Sequence, residues 1–133
     1  MILRGVGARI LADNVPLLYD FYTEILGFKV LWGHRDSPYV AFAEADKDTP
    51  AFAVFAKADM KHYESYIPLP SQERSDYTTY CLGFDDVDAA YEILKARGVP
   101  FMGEPRNVPG WEMRSVFFRD PEGNLFEIAG PVK

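Results

Sequence analysis

Cysteine is almost absent from this chain. Its one copy, Cys81, excludes an internal disulfide and any metal site built from several thiolates. In the middle of a strand-like run it reads as a small buried hydrophobe rather than a reactive thiol. Basic residues are also few: 14 Lys and Arg stand against 20 Asp and Glu, a formal charge of −6, so the basic face that nucleic acid requires is missing. No apolar run approaches the ~20 residues of a membrane helix, and the first residues lack the basic, apolar and small-residue order of a secretory signal. The expectation is a cytoplasmic protein with neither a nucleic-acid nor a membrane partner. Histidine occurs only at His34 and His62, both read as surface or hydrogen-bonded side chains, and no Ser-His-Asp or Cys-His arrangement can be argued from the order of residues.

Aromatic residues are plentiful by contrast. Ten Phe, eight Tyr and two Trp make up 15% of 133 residues, enough to fill a small core and leave some over for a ligand cleft. With 48% hydrophobic and 26% charged residues the composition is that of a globular protein, and the length suits one domain or two half-size modules sharing a core.

The most informative stretch runs from Val116 to Gly130. Asp120-Pro121-Glu122-Gly123 places Pro where φ near −65° is wanted and Gly at the fourth position, so it predicts a tight turn between two β-prone runs. In the second run Glu127 falls between Phe126 and Ile128, and alternation turns its carboxylate to the opposite face from both.

Taken in order, Val6 to Ala12 predicts a strand with Arg9 as its one charge. Asp13 or Asn14 offers a helix cap, and Val15, Leu18, Tyr22, Ile25 and Leu26 follow at helical spacing, with Pro16 tolerated in the first turn and Gly27 ending the helix. Strands are predicted at Phe28 to His34, Tyr39 to Glu44 and Ala51 to Ala56. Residues 57–76 are polar, contain Pro68 and Pro70 and read as a connecting loop with room for one helical turn. The pattern then repeats. Thr79 to Phe84 predicts a strand, Asp85 or Asp86 caps a helix, and Val87, Ala90 and Leu94 stand 72 residues after Val15, Leu18 and Tyr22. Gly98 follows Gly27 by 71. Strands are predicted at Val99 to Met102, Glu112 to Arg119 and Leu125 to Ala129. The reading is an α+β fold of two tandem βαβββ modules in one domain spanning residues 1–133, with module 1 over about residues 1–58, the connection over 59–76 and module 2 over 77–133.

With these residues in view, the chain resembles the vicinal oxygen chelate superfamily of glyoxalases, bleomycin-resistance proteins, extradiol dioxygenases and fosfomycin-resistance enzymes. The resemblance is carried by Asp13-Asn14-Val15-Pro16 through Phe21-Tyr22 and Leu26-Gly27-Phe28, by Asp85-Asp86-Val87-Asp88-Ala89-Ala90, and by Phe118 through Glu127. It implies that each module curls into a half-barrel, that two modules form a cup for the ligand, and that the protein is a homodimer.

The family's enzymes hold a divalent ion with His, Gln or Glu from the first strand of each module and with carboxylates or His from the last strands. Such an ion needs several O and N donors at about 2.0–2.3 Å and an open place for substrate. Here the first-strand positions are Gly7 and Thr79, and the last strand of the first module is apolar from Ala51 to Phe55. Only Glu127 matches. No metal and no cofactor are therefore expected, and the nearest pattern is that of metal-free bleomycin-resistance-like members.

If Glu127 faces the cup, alternation places Arg9 and Cys81 on the same side, and Trp32, Phe55, Trp111 and Arg114 are the remaining candidates for its surface. Trp111-Glu112-Met113-Arg114 before the Asp-Pro turn resembles the Trp-x-x-Arg segment of bleomycin-resistance proteins. Pairing of Arg9 with Glu127 is the alternative for both residues. Two functions follow: a binder of a small aromatic molecule, neutral or cationic, using Arg9, Trp32, Phe55, Trp111, Arg114 and Glu127; or a lyase, isomerase or dioxygenase that uses Glu127 as general base or as one ligand of a divalent metal.

Overall fold

The computed structural model describes residues 1–70 and 76–133. It falls into two compact units, Met1–Ser71 and Gln72–Lys133, and each contains a four-stranded mixed sheet backed by one helix.

In the first unit, β1 (Arg9–Ala12) leads into α1 (Val15–Asp20), then β2 (Lys29–Trp32), β3 (Tyr39–Ala43) and β4 (Phe52–Ala56), with spatial order β1-β4-β3-β2. Strand β1 lies parallel to β4 while β3 is antiparallel to both its neighbours. In the second unit, β5 (Thr79–Gly83), α2 (Val87–Ala96), β6 (Arg106–Val108), β7 (Met113–Arg119) and β8 (Leu125–Gly130) take the same arrangement, β5-β8-β7-β6. The repeat seen in the sequence is thus a repeat of topology.

Both helices begin in the same way. Asn14 and Asp86 sit in extended backbone, and their side chains accept from the backbone N–H of Leu17 at 3.1 Å and of Ala89 at 3.0 Å, which satisfies one orphan donor of each first turn. After Asp20 the first helix widens into a π turn over Phe21–Ile25, closed by the Leu26 N–H donating to the Phe21 carbonyl at 3.1 Å. Gly27 and Gly98 then take φ of +80° and +92°, where a side chain would be strained.

Aromatic packing fixes each helix to one face of its sheet. Tyr22 is fully buried and meets Phe42 and Phe52 edge-on at 5.4 and 5.1 Å, while Phe42 and Phe52 stack on each other. Val40, Val54, Ile10 and Ala12 complete that layer. The second unit builds its own from Tyr91, Phe101, Phe118, Phe126 and Tyr80, with centroid spacings of 4.8 to 5.4 Å.

The turn at Asp120–Gly123 forms as expected, and the side chain matters more than the proline alone. Asp120 is buried, and its carboxylate accepts from the N–H groups of Glu122 and Asn124 at 2.9 Å and from the Asn124 amide at 2.8 Å. Gly123 has φ +84° and donates to the Asp120 carbonyl at 2.9 Å.

Two expectations are corrected, and the helical turn expected in the connection forms. The strand expected at Val99–Met102 is a single bridge between Phe101 and Phe118, because the Val99 N–H is spent on the Leu94 carbonyl closing α2; the edge strand forms later, at Arg106–Val108, between Pro105 and Pro109. Strand β1 starts at Arg9 rather than Val6, since its partner β4 starts at Phe52. The connection begins with a 3₁₀ turn at Lys57–His62, and the rest of it over 71–75 lies outside the described residues. Among the described residues no helix is long and apolar enough to cross a membrane.

The two faces of the first sheet should respond differently to truncation. Phe42→Ala removes a fully buried ring and is expected to cost about 3–5 kcal/mol in urea denaturation. Phe55→Ala, on the face away from the helix, is expected to cost about 1 kcal/mol or less. Equal losses would mean that both faces are core.

Candidate functional site

Register decides which side chains share the helix-free face of the first sheet. Strand pairing aligns Arg9 with Ala53, Ala53 with Ala41 and Ala41 with Trp32, and in the next row Leu11 with Phe55 and Phe55 with Tyr39. Two small residues, Ala41 and Ala53, only 8% and 4% exposed, thus lie between Arg9 and Trp32, with Phe55 and Tyr39 in the next row.

Trp32 reaches this face through a β-bulge. The pairing of β2 with β3 shifts between Val30 and Trp32, so Leu31 is the extra residue and Trp32 aligns with Ala41 rather than with Val40 on the helix side. Gly33 follows with φ +85°, and a Cβ there would lie 2.5 Å from the Tyr39 carbonyl oxygen, so glycine lets β2 turn tightly against the start of β3.

The rings form a connected row. Trp32 meets Tyr39 at 5.5 Å, Tyr39 meets Phe55 at 6.1 Å, and Phe55 meets Tyr63 at 6.1 Å, all edge-on. The Arg9 guanidinium carbon stands 5.5 Å from the centroid of the Tyr39 ring. Trp32 is 62% exposed and Tyr63 47%, far more than rings of a core. Beside them a pocket of about 470 Å³ is lined by Gly7, Arg9, Tyr39, Ala53 and neighbouring residues. Arg9, Trp32 and Phe55 were candidates from the sequence; Tyr39 and Tyr63 were missed. Tyr39 could have been found, because it begins a strand whose alternate residues, Val40 and Phe42, are apolar enough to claim the core.

The helix-free face of the second sheet carries a polar group. Cys81, Glu127 and Phe117 align across β5, β8 and β7. Ser115 Oγ donates to Glu127 Oε2 at 2.5 Å, a charge-assisted contact of the short kind. Cys81 is exposed here, not buried as expected, because its strand turns alternate residues outward and 81 shares the parity of Glu127. Partial burial, the hydrogen bond to Glu127 and its negative charge together push the thiol above its ordinary value.

Two candidates lie elsewhere. Arg114 was expected on the cup surface, but the turn sets Arg119 opposite Leu125 and Phe117 opposite Glu127, which leaves Arg114 on the helix side. There it grips Asp88 of α2 through Nε at 2.7 Å and Nη2 at 2.9 Å and holds that carboxyl below the usual range. Trp111 is 73% exposed on the β6–β7 turn, where Gly110 and Glu112 both have positive φ.

Pairwise comparison places these sheets among known proteins. A family model described as the glyoxalase/bleomycin resistance protein/dioxygenase superfamily matches residues 8–128. The chain belongs to that superfamily. It is 27% identical over 122 residues to the uncharacterized protein YraH of Bacillus subtilis (strain 168), covering 90% of this chain and 92% of that one. A crystal structure of a glyoxalase/bleomycin resistance protein/dioxygenase from Nocardioides superposes with TM-score 0.75 at 19% identity, covering 100% of this chain and 87% of the other. TnmS3, an antibiotic binding protein from Streptomyces sp. CB03234, superposes with TM-score 0.61 at 24% identity over 98% of this chain and 99% of its own.

The metal that the superfamily's enzymes use does not fit the donors of this chain. Gly7 offers no side chain, the Thr79 hydroxyl faces the Leu125 carbonyl at 3.4 Å, and β4 is apolar throughout. Among the described residues no three His, Cys, Asp or Glu side chains converge as an ion would require.

The contact between Cys81 and Glu127 has a chemical signature. A raised thiol is poorly ionised at pH 8, so iodoacetamide should alkylate Cys81 slowly, with a rate that keeps rising through the range where an ordinary cysteine has levelled off. Glu127→Gln removes the charge and should speed alkylation at pH 8 several-fold. An unchanged rate would separate the thiol from the carboxylate.

Proposed function

We propose that this protein binds a small, flat aromatic molecule on the helix-free face of its first sheet, without the superfamily's metal. The observation that carries the reading is the row of rings from Trp32 through Tyr39 and Phe55 to Tyr63, set beside Ala41 and Ala53 and kept out of the core. Exposed and half-buried rings held edge-on lose little freedom on binding, which suits stacking worth about 0.5–1.5 kcal/mol per ring pair. TnmS3, which shares the fold, is an antibiotic binding protein, which supports small-molecule binding as a use of the fold.

The net charge of −6 favours the approach of neutral or cationic molecules from a distance. Screening over about 8–10 Å leaves the choice at the surface to the residues beside the rings. The unpaired edges of both sheets, β1 and β2, β5 and β6, are consistent with a homodimer that covers one of them.

A second reading has Glu127 in its favour. The sequence resemblance matches Glu127 to an acid of the superfamily's enzymes, and its carboxylate contacts Ser115 and Cys81, so a lyase, isomerase or dioxygenase using it as base or as a metal ligand is the alternative.

Both readings can be tested on one preparation purified without chelator. The binding reading predicts no stoichiometric transition metal by elemental analysis, quenching of tryptophan fluorescence by 2-naphthol, and a loss of affinity of about tenfold in Tyr39→Ala or Phe55→Ala. One equivalent of metal, or an affinity indifferent to both substitutions, would favour the enzyme.

A further inference from the structure

Three cations of the first unit are held by carboxylates. Lys29 pairs with Asp48 at 2.8 Å, Arg35 grips Asp20 through two bonds of 2.9 Å, and Lys47 reaches Glu44 at 3.0 Å. Arg9 sits instead over the Tyr39 ring, and among the described residues of its unit no carboxylate pairs with it. Arg4, Lys57 and Lys61 also lack a carboxylate partner among the described residues; what sets Arg9 apart in its unit is the ring beside it. A guanidinium held over a ring face keeps its five N–H donors available.

Arg9 stands at an open pocket. Arg9 and Tyr39 both line the pocket of about 470 Å³, and on that side Gly7 has nothing within 4 Å of where a Cβ would stand. Ala53 lies next to Arg9 in register and lines the same pocket, so a flat ring entering beside Ala53 would bring its edge substituent to the guanidinium.

We propose that the aromatic ligand carries an acidic substituent, a carboxylate or an ionised phenol, which Arg9 receives at the edge of the ring platform. The inference rests on the platform reading of the preceding subsection and adds the sign of the ligand's charge to it. A bidentate guanidinium–carboxylate contact at a partly exposed site is worth about 1.4 kcal/mol, which corresponds to about tenfold in affinity.

Three probes with one ring system make the test: 2-naphthoate, 2-naphthalenemethanol and 2-naphthylmethylammonium, titrated calorimetrically at pH 7 into the intact protein, into Arg9→Gln and into Tyr39→Ala, with the fold of each variant checked by circular dichroism. The expected result is naphthoate about tenfold tighter than the alcohol, the ammonium weakest, and a ratio of acid to alcohol close to one in Arg9→Gln. Raising the salt concentration should narrow the same ratio in the unaltered protein. An acid no tighter than the alcohol, or a preference that survives Arg9→Gln, overturns the inference. If all three bind alike and Tyr39→Ala weakens all three, the platform stands and the acidic substituent alone falls. If none binds, both fall together.

Discussion

One helix can cover only one face of a four-stranded sheet, and this constraint shapes both units. In each, the helix is locked down by buried rings, Tyr22 against Phe42 and Phe52 in the first and Tyr91 with Phe101 against Phe118 in the second. Alternation then delivers every second side chain of every strand to the other face, whatever its chemistry. What the chain places there is therefore a choice independent of the core. In the first unit it is a set of rings with one arginine; in the second it is an acid with a hydroxyl and a thiol.

That separation explains how a superfamily known for metal chemistry can include a chain whose donors do not suit a metal. The helix-side layer is what preserves the fold, and it demands only apolar residues at the right parity. The helix-free face can lose ligands without cost to that layer. Here Gly7 and Thr79 offer poor donors, while Trp32 is turned to the helix-free side by a single extra residue in its strand. The helix-free face of the first sheet carries aromatic rings.

Much of this was legible in the sequence because local signals agreed with one another. The caps at Asn14 and Asp86, the terminal glycines and the Asp-Pro turn each have a short-range mechanism, and the recurrence of the caps and glycines 71 to 72 residues apart exposed the two modules. Grouping Arg9, Trp32 and Phe55 was also within reach, although Trp32 reached the shared face through a bulge that no composition signals. Arg114 was misplaced for a different reason. The turn already dictated its parity, with Arg119 opposite Leu125, but a likeness to a neighbouring motif was followed instead of the count. The strand at Arg106–Val108 was hidden because its three residues are mostly polar and flanked by prolines, and Val99 was apolar for closing a helix rather than for building a sheet.

The central claim is that the helix-free face of the first sheet is where a flat ligand rests. Methyl-selective NMR of the alanines reads it most directly, since Ala41 and Ala53 lie between Arg9 and Trp32. On titration with a naphthalene probe their methyl signals should shift upfield by ring current and in step with the Trp32 indole N–H, while Ala90 on the buried side of α2 stays in place. Shifts confined to Ala129, beside Ser115 and Glu127, or no shift at Ala41 and Ala53 under saturating probe, would contradict the account.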